Sequence, residues 1–420
     1  MTEEKTKNPS SEPIFEPKKD EFQRFSKDPR LSSENKSFND NFPNSPFSLK
    51  LENETDSIKD KEAFYNAIRE FKKREYQKLL PLEEKPLQNR RKILNTVTQI
   101  AESIILVTYK YTQKNLEAEI GIPSYLSSYK QNLISHLGII GMGKLGASEM
   151  NYESDLDLIF VYSHEGETLG KKNLTNREFF IKFAQRLIQA LNTMTSSGLC
   201  YNIDVELRPS GNAGTLVISF EHFVEHQMNK AQEWESMALL RARAVVAPED
   251  FRNQINSQIQ KLAFERPLPK HFFSVMHAIR QRVLLERAKE SQTVIDLKLG
   301  SGGLMDIEFI LQGIQLKNQH VFPNLRKSSL FDLIVSLKGY GFLEKAELDL
   351  IEQAHLYYRT IVSQLHLIKK CSLKQLDMNS DLFTEVRERL GLASDHELKD
   401  KLLILKTGVQ KVYKRFYETP

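Results

Sequence analysis

Apolar positions along this chain change period twice, and the changes mark its expected parts. From Lys61 the run AFYNAIREFKKREYQKLL sets Phe64, Ile68, Phe71 and Tyr76 on one helical face with charges opposite. Pro81 and Pro86 interrupt it. A longer amphipathic helix is expected from Leu87 to Ala118, its stripe formed by Ile93, Val97, Ile100, Ile104, Ile105 and Val107, with Gly121 and Pro123 ending it. Near His136 the pattern turns to short β-prone runs, Leu137–Ile140 and Leu156–Tyr162. A helix is expected over Asn176–Met194, then strands over Leu199–Leu207 and Thr215–Ser219. Beyond Glu221 only helical periods are read, over 221–246, 251–264, 269–290, 303–318, 328–338, 344–370 and 396–416.

The first sixty residues carry no sustained period. Ser, Asn, Pro, Lys and Glu dominate them, with isolated phenylalanines that could dock on a partner. Such a composition buries too little surface to offset chain entropy. The organisation expected is a disordered tail over 1–60, a helical arm over 61–130, an α/β domain over 131–250 and a helical bundle over 251–420.

Composition narrows the function classes. The chain is 40% apolar and 27% charged, ordinary for a soluble protein, and its formal net charge of +4 is too small and diffuse for a nucleic-acid-binding face. Two cysteines, Cys200 and Cys371, exclude a disulfide framework and a cysteine-built zinc site, which suits a reducing cytoplasm. No apolar run approaches the roughly eighteen residues of a membrane span, and the polar N-terminus lacks a signal-peptide core. A cytoplasmic protein without membrane or nucleic-acid partners is expected.

The chemistry concentrates between Leu137 and Tyr162. Gly141, Gly143 and Gly146 spell the dinucleotide-binding spacing, but only eight residues separate Gly146 from Asp155, too few for the crossover helix such a fold requires. The glycines suit a backbone turn approaching phosphate oxygens, with Lys144 adding positive charge. Asp155 and Asp157 lie two apart on the second β run and so share a face, where two carboxylates can share magnesium. Asp204 and Glu206, two apart on the next strand, are candidates for a further carboxylate. The loop from Arg208 to Gly214, with Ser210 and Gly211, suits a triphosphate or ribose. His222 and His226 stand at a metal-ligand spacing, but no third ligand is evident, and they are read as ordinary helix positions.

Four stretches, GMGKLGASEMNYESDLDLIFVY, YNIDVELRPSGNAGTLV, WESMALLRARAVV and DLKLGSGGLMDIEFILQ, resemble the glutamine-synthetase adenylyltransferase family. The resemblance covers about 136 to 315. It implies a nucleotidyltransferase domain of the DNA polymerase β type, thus an α+β chain with a small mixed sheet, a helical arm before it and an all-α bundle after it. Family members carry two such halves, one adding AMP to a tyrosine of glutamine synthetase and one removing it by phosphorolysis; this chain has room for one.

The resemblance implies Asp155, Asp157 and Asp204 as catalytic metal ligands for magnesium, with ATP as substrate. Glu206 departs from the family pattern, which has arginine there, and is kept as a fourth metal candidate. Gly141, Gly143, Lys144, Ser154, Arg208, Ser210, Gly211, Arg241, Arg243 and Lys298 form the expected nucleotide-binding set. Arg241 and Arg243 are placed on one helix, one reaching the nucleotide and the other supporting a domain contact. Gly300, Gly302 and Gly303 precede a helix whose first-turn acids, Asp306 and Glu308, either complement the helix dipole or help close the helical domain over the site. The SGNAG loop, ALLRAR and Asp306 are closer to the adding half, and GMGKLGASEM to the removing half. AMP transfer onto glutamine synthetase is taken first, with AMP removal and a non-catalytic binding module as alternatives and a PII-type signalling protein as a candidate partner.

Overall fold

The computed structural model describes residue 42 and residues 45–318, 321–369 and 374–418, apart from the side chain of Asn212. The tail expected over 1–60 therefore lies largely outside the described residues. Its end corrects the expectation, because Pro46–Thr55 is a helix, α1, with Leu51 fully buried. Ser45 and Ser48 close its first turn reciprocally and Pro46 stands at its start, a cap readable where hydrophobic period was not.

Helices α2 (Lys61–Gln77) and α3 (Pro86–Glu119) follow the predicted stripes. Phe64, Ile68 and Phe71 are buried on α2, and Ile93, Val97, Ile100, Ile104, Ile105 and Val107 on α3. Strands β1 (Ile122–Leu126) and β2 (Asn132–Ile134) come next, earlier than the arm's expected end. Strand β3 (Leu137–Gly141), a four-residue helical turn α4 (Gly143–Gly146) and strand β4 (Leu156–Tyr162) carry the motif region. Then come β5 (Glu167–Leu169), α5 (Asn176–Asn192), β6 (Ile203–Asp204), β7 (Val217–Ser219), α6 (Phe220–Asn229), α7 (Glu233–Leu239) and β8 (Arg243–Val246).

Two sheets result. β2, β1 and β5 pair antiparallel in that order. The main sheet runs β6–β4–β3–β8, with β7 also alongside β4. β3 is antiparallel to β4 and to β8, while β6 and β7 both run parallel to β4. Every residue of β3 is buried, and in β4 all but Asp157. Helix α5 covers the sheet with Phe179, Phe180, Phe183 and Leu187, all buried.

The helical region comprises α8 (Glu249–Phe264), α9 (Phe272–Arg287), α10 (Leu304–Asn318), α11 (Leu330–Leu337), α12 (Lys345–Lys369), α13 (Asp381–Arg389) and α14 (Asp395–Tyr417). It also holds a small antiparallel pair, β9 (Val294–Asp296) with β10 (Gln375–Asp377). The α+β class expected, a small mixed sheet followed by a helical region, is the class observed. Strands do not disappear after Glu221, however. β8 lies where a helix was expected, because Ala244, Val245 and Val246 are buried together, and a short run apolar on both faces shows no period to separate strand from helix.

One continuous core joins Ile140 and Ile159 of the sheet to Ile307, Ile351 and Leu402 of the helical region. α3 touches both sides of it. Tyr109 Oη donates to Leu137 O at 3.0 Å, and Thr98 Oγ1 accepts from Met150 N at 3.0 Å. At its other end the fully buried Arg90 forks onto Glu83 (3.1 and 2.6 Å) and donates to Ser363 Oγ on α12 at 2.7 Å. Gln364 Nε2 donates to the same Glu83 carboxylate at 2.6 Å. A buried pair held this way loses heavily when one partner goes. Arg90→Met is expected to lower stability by about 3–5 kcal/mol, read as a fall in the urea midpoint; an unchanged midpoint would show that the pair is dispensable.

Candidate active site

The site is built on the in-register pairing of two strands. Asp157 on β4 is the Cα partner of Asp204 on β6, beside the pair Leu156 with Ile203. Side chains opposite one another in neighbouring strands share a face, so the two carboxylates stand side by side. Asp155 is exposed one residue before β4 and lies two residues from Asp157. Burial lifts the Asp157 carboxyl, the charges of Asp204 and Asp155 lift it further, and the nearby Lys144 and Lys298 do not offset this; its pKa is pushed up to about 6. Among the described residues no group of three or more His, Cys, Asp or Glu side chains forms a metal-binding cluster by itself.

The glycine turn has two separate jobs. Gly143 has φ +53°, and a Cβ there would stand 2.6 Å from Asp157 Oδ2. Only glycine takes that conformation freely and leaves room for the carboxylate. Gly146 is demanded by packing, since its Cβ would meet Arg241 O at 1.9 Å. Gly141, at the end of β3, packs against Val245 and Leu145.

Two lysines flank the acids. Lys144, on α4, is driven by burial and by Arg359 and Lys298 down to about 7, against the opposing charges of Glu308 and Asp157. Lys298 comes from the helical region, in the turn after β9 that buried Asp296 organises by accepting from Lys298 N (3.0 Å) and Leu299 N (2.8 Å). Burial and Lys374 lower its pKa, while Glu308, Asp157 and Asp155 oppose them. Both ammonium groups therefore sit within electrostatic reach of the aspartate edge.

The arginines are arranged differently from the expectation. They do not share a helix: α7 ends at Leu239, Arg241 lies in the following turn, and Arg243 opens β8. Arg241 Nη2 donates to buried Glu149 at 2.8 Å and its Nη1 to Glu308 at 3.0 Å. Arg243 grips the back of the glycine turn, donating to Gly146 O (2.9 Å), Leu145 O (3.2 Å) and Ser148 Oγ (3.1 Å) and pairing with Glu102 on α3.

The remaining predicted residues lie around this edge. Ser154 is buried and closes the turn before β4, its Oγ accepting from Asn151 N at 2.8 Å. β6 ends at Asp204, so strand alternation does not carry Glu206 onto the same face. Glu206 is exposed in a turn, and its N–H donates to Asp204 Oδ1 at 2.8 Å. Arg208 clasps the loop that follows, donating to Val205 O at 2.6 Å and Gly214 O at 3.3 Å. Ser210 and Gly211 are consecutive left-handed residues at its tip, with φ +64° and +54°. Asp306 is buried in the start of α10, paired with Arg280 at 2.5 Å and accepting from Gly302 N at 2.6 Å. His222 and His226 turn to separate partners, Ser219 and Glu235.

With this geometry in place, residues 25–258 match the model of the family described as glutamate-ammonia ligase adenylyltransferase. The chain belongs to that family. Residues 274–417 match a second model, described as GlnD PII-uridylyltransferase. Curated relatives include proteins of Shewanella woodyi, Vibrio parahaemolyticus and Pasteurella multocida, each named a bifunctional glutamine synthetase adenylyltransferase/adenylyl-removing enzyme. Identities are 30%, 31% and 31%, over 77%, 76% and 80% of this chain and 33%, 33% and 34% of the relative. The chain thus spans about a third of the length of the curated relatives it matches. No described helix is long and apolar enough to cross a membrane.

Sequence reasoning overlooked Glu149 and Arg359, lone charges in motif and helix with no spacing to announce them. It noted Glu308 as a helix-start acid that could help close the helical domain over the site, without its partner Arg241. Asp204→Asn is expected to bring the Asp157 pKa part of the way back toward the ordinary carboxylate range, since burial remains; carbon NMR titration of labelled aspartate carboxyls reads this. A titration still centred near 6 would leave burial and the Asp155 charge as the causes.

Proposed function

We propose that this chain moves AMP from ATP to a hydroxyl on a protein, and that the acceptor is a tyrosine of glutamine synthetase. The observation that carries the reading is the in-register pair of Asp157 and Asp204, with Asp155 beside it, in a member of an adenylyltransferase family. The relatives' names supply glutamine synthetase as the protein acted upon.

Magnesium is the implied cofactor, and the residues fit it. The donors are hard carboxylate oxygens, and burial together with the charges of Asp204 and Asp155 leaves Asp157 hard to ionise, so the edge is short of positive charge. Magnesium asks for only one or two carboxylates and completes its shell with water and phosphate oxygens. Asp155, Asp157 and Asp204 would hold it, and when bound it supplies charge that neutralises the departing pyrophosphate and acidifies the acceptor hydroxyl. Glu206, exposed beyond the end of β6, is assigned to the rim of the site.

The chain's own groups do the rest. Gly143 leaves the floor beside Asp157 open to a phosphate. Lys144 and Lys298 face the triphosphate, and the loop held by Arg208 offers Ser210 and Gly211 to it or to the ribose. Arg241 is fixed by Glu149 and so presents a rigid positive charge with no reorganisation at the moment of transfer. Arg243 acts from behind, holding the turn that carries Gly143 and Lys144. The cytoplasm is the proposed compartment, and the name of the uridylyltransferase whose model matches residues 274–417 supports a PII-type protein as a regulatory partner.

Incubation with labelled ATP, magnesium and glutamine synthetase is expected to label the synthetase, and Asp157→Asn to reduce labelling by about a hundredfold or more. Absence of label, with the parent as silent as the variant, defeats the reading. ADP release from adenylylated glutamine synthetase and phosphate, in place of labelling, assigns the opposite direction to the same site.

A further inference from the structure

Glu308 belongs to the helical region, on α10, yet it pairs with Arg241 in the turn that leads into β8. Arg241 lies between two acids, with Nη2 on Glu149 at 2.8 Å and Nη1 on Glu308 at 3.0 Å. The two acids are not alike. Glu149 is buried, and its other oxygen already accepts from Ser329 Oγ (3.0 Å) and Leu330 N (2.7 Å). The Glu308 side chain keeps 34% of its surface exposed. Its negative charge also acts on Lys144 and Lys298, the two lysines that feel Asp157.

One partly open carboxylate therefore pairs with a guanidinium and lies within electrostatic reach of two ammonium groups, which in turn feel Asp157. A phosphoryl group of a nucleoside triphosphate needs the same surroundings. We propose that Glu308 is a positioning residue that holds Arg241, Lys144 and Lys298 converged before nucleotide arrives, then yields the two lysines to the triphosphate while keeping Arg241. The inference rests on the nucleotidyl-transfer reading and deepens it: the helical region, through Glu308 and Lys298, takes part in seating the substrate.

This arrangement has two consequences of opposite sign. Glu308 competes with the triphosphate for the lysines, which weakens nucleotide binding. It also fixes the geometry in which transfer occurs, which favours turnover. A neutral side chain of the same shape separates them. Glu308→Gln is expected to bind ATP about fivefold more tightly, as removal of one screened charge near the surface implies. Its turnover should fall about tenfold, the scale of a small misplacement of reacting groups.

ATP affinity is measured by calorimetric titration with magnesium and again with EDTA, so that binding is read apart from activity. Glu308→Asp, which keeps the charge, should return affinity to the parent value and recover part of the turnover. Should the Gln variant not fold, Glu308→Ser makes the same neutral change in a smaller side chain. A purely structural role predicts that binding and turnover weaken together, and that result overturns the proposal, as does unchanged affinity in Glu308→Gln. A parent chain that binds no ATP overturns the nucleotidyl-transfer reading along with this one. A parent that binds ATP and a Gln variant that binds it equally leave that reading standing and remove only Glu308 from it.

Discussion

Glu149 carries a charge in a place where charge is costly, and much of the molecule is arranged around that fact. Burial pushes its pKa up, but Arg241 and Arg359, aided by His355 and Ser329, more than reverse this and hold the carboxylate below its ordinary value. Arg359 on α12 also donates to Glu149 O. The acid comes from the segment after the glycine turn, the guanidiniums from the turn before β8 and from α12, and the amide from the start of α11. One desolvated anion thus ties four pieces of chain distant in sequence, and losing any partner leaves an uncompensated buried charge. Because Arg241 O packs against Gly146, the same anion also fixes the height of the turn that carries Gly143.

A second spine runs alongside. α3 meets the sheet through Tyr109 and the motif region through Thr98, and its N-terminal end is locked to α12 by Arg90 and Glu83. Helical arm, sheet and helical region are therefore not beads on a string. Sheet and helical region share one core, Leu87 of the arm packs against it, and these polar bonds tie the arm to both.

What could be read in advance follows from this distinction. Long amphipathic helices announce themselves through local period, and Asp155, Asp157 and the glycines through local spacing, so these were legible. Asp204 was legible because it lies on a short strand next to a polar loop. β8 was not, since a strand buried on both faces loses alternation, and with it went the expectation that Arg241 and Arg243 share a helix. The placement of Glu206 on the face of Asp204 failed for the reverse reason: alternation was extended past Asp204, where the strand had already ended. The duties of Glu149, Arg243 and Glu308 depend on partners far along the chain, Arg243 for instance on Glu102, and no local pattern encodes such a meeting.

The two carboxylates that face each other are held with very different firmness. Asp157 belongs to a seven-residue strand paired on both sides and buried nearly throughout. Asp204 sits on a strand of two residues, before a loop with two consecutive left-handed residues. So short a ladder opens locally at little cost, whereas the central strand opens only when the domain does. The site therefore has one stiff jaw and one compliant jaw. Whatever bridges them gains its grip by stiffening the second, and the sequence between Asp204 and Gly214 sets how much ordering that requires.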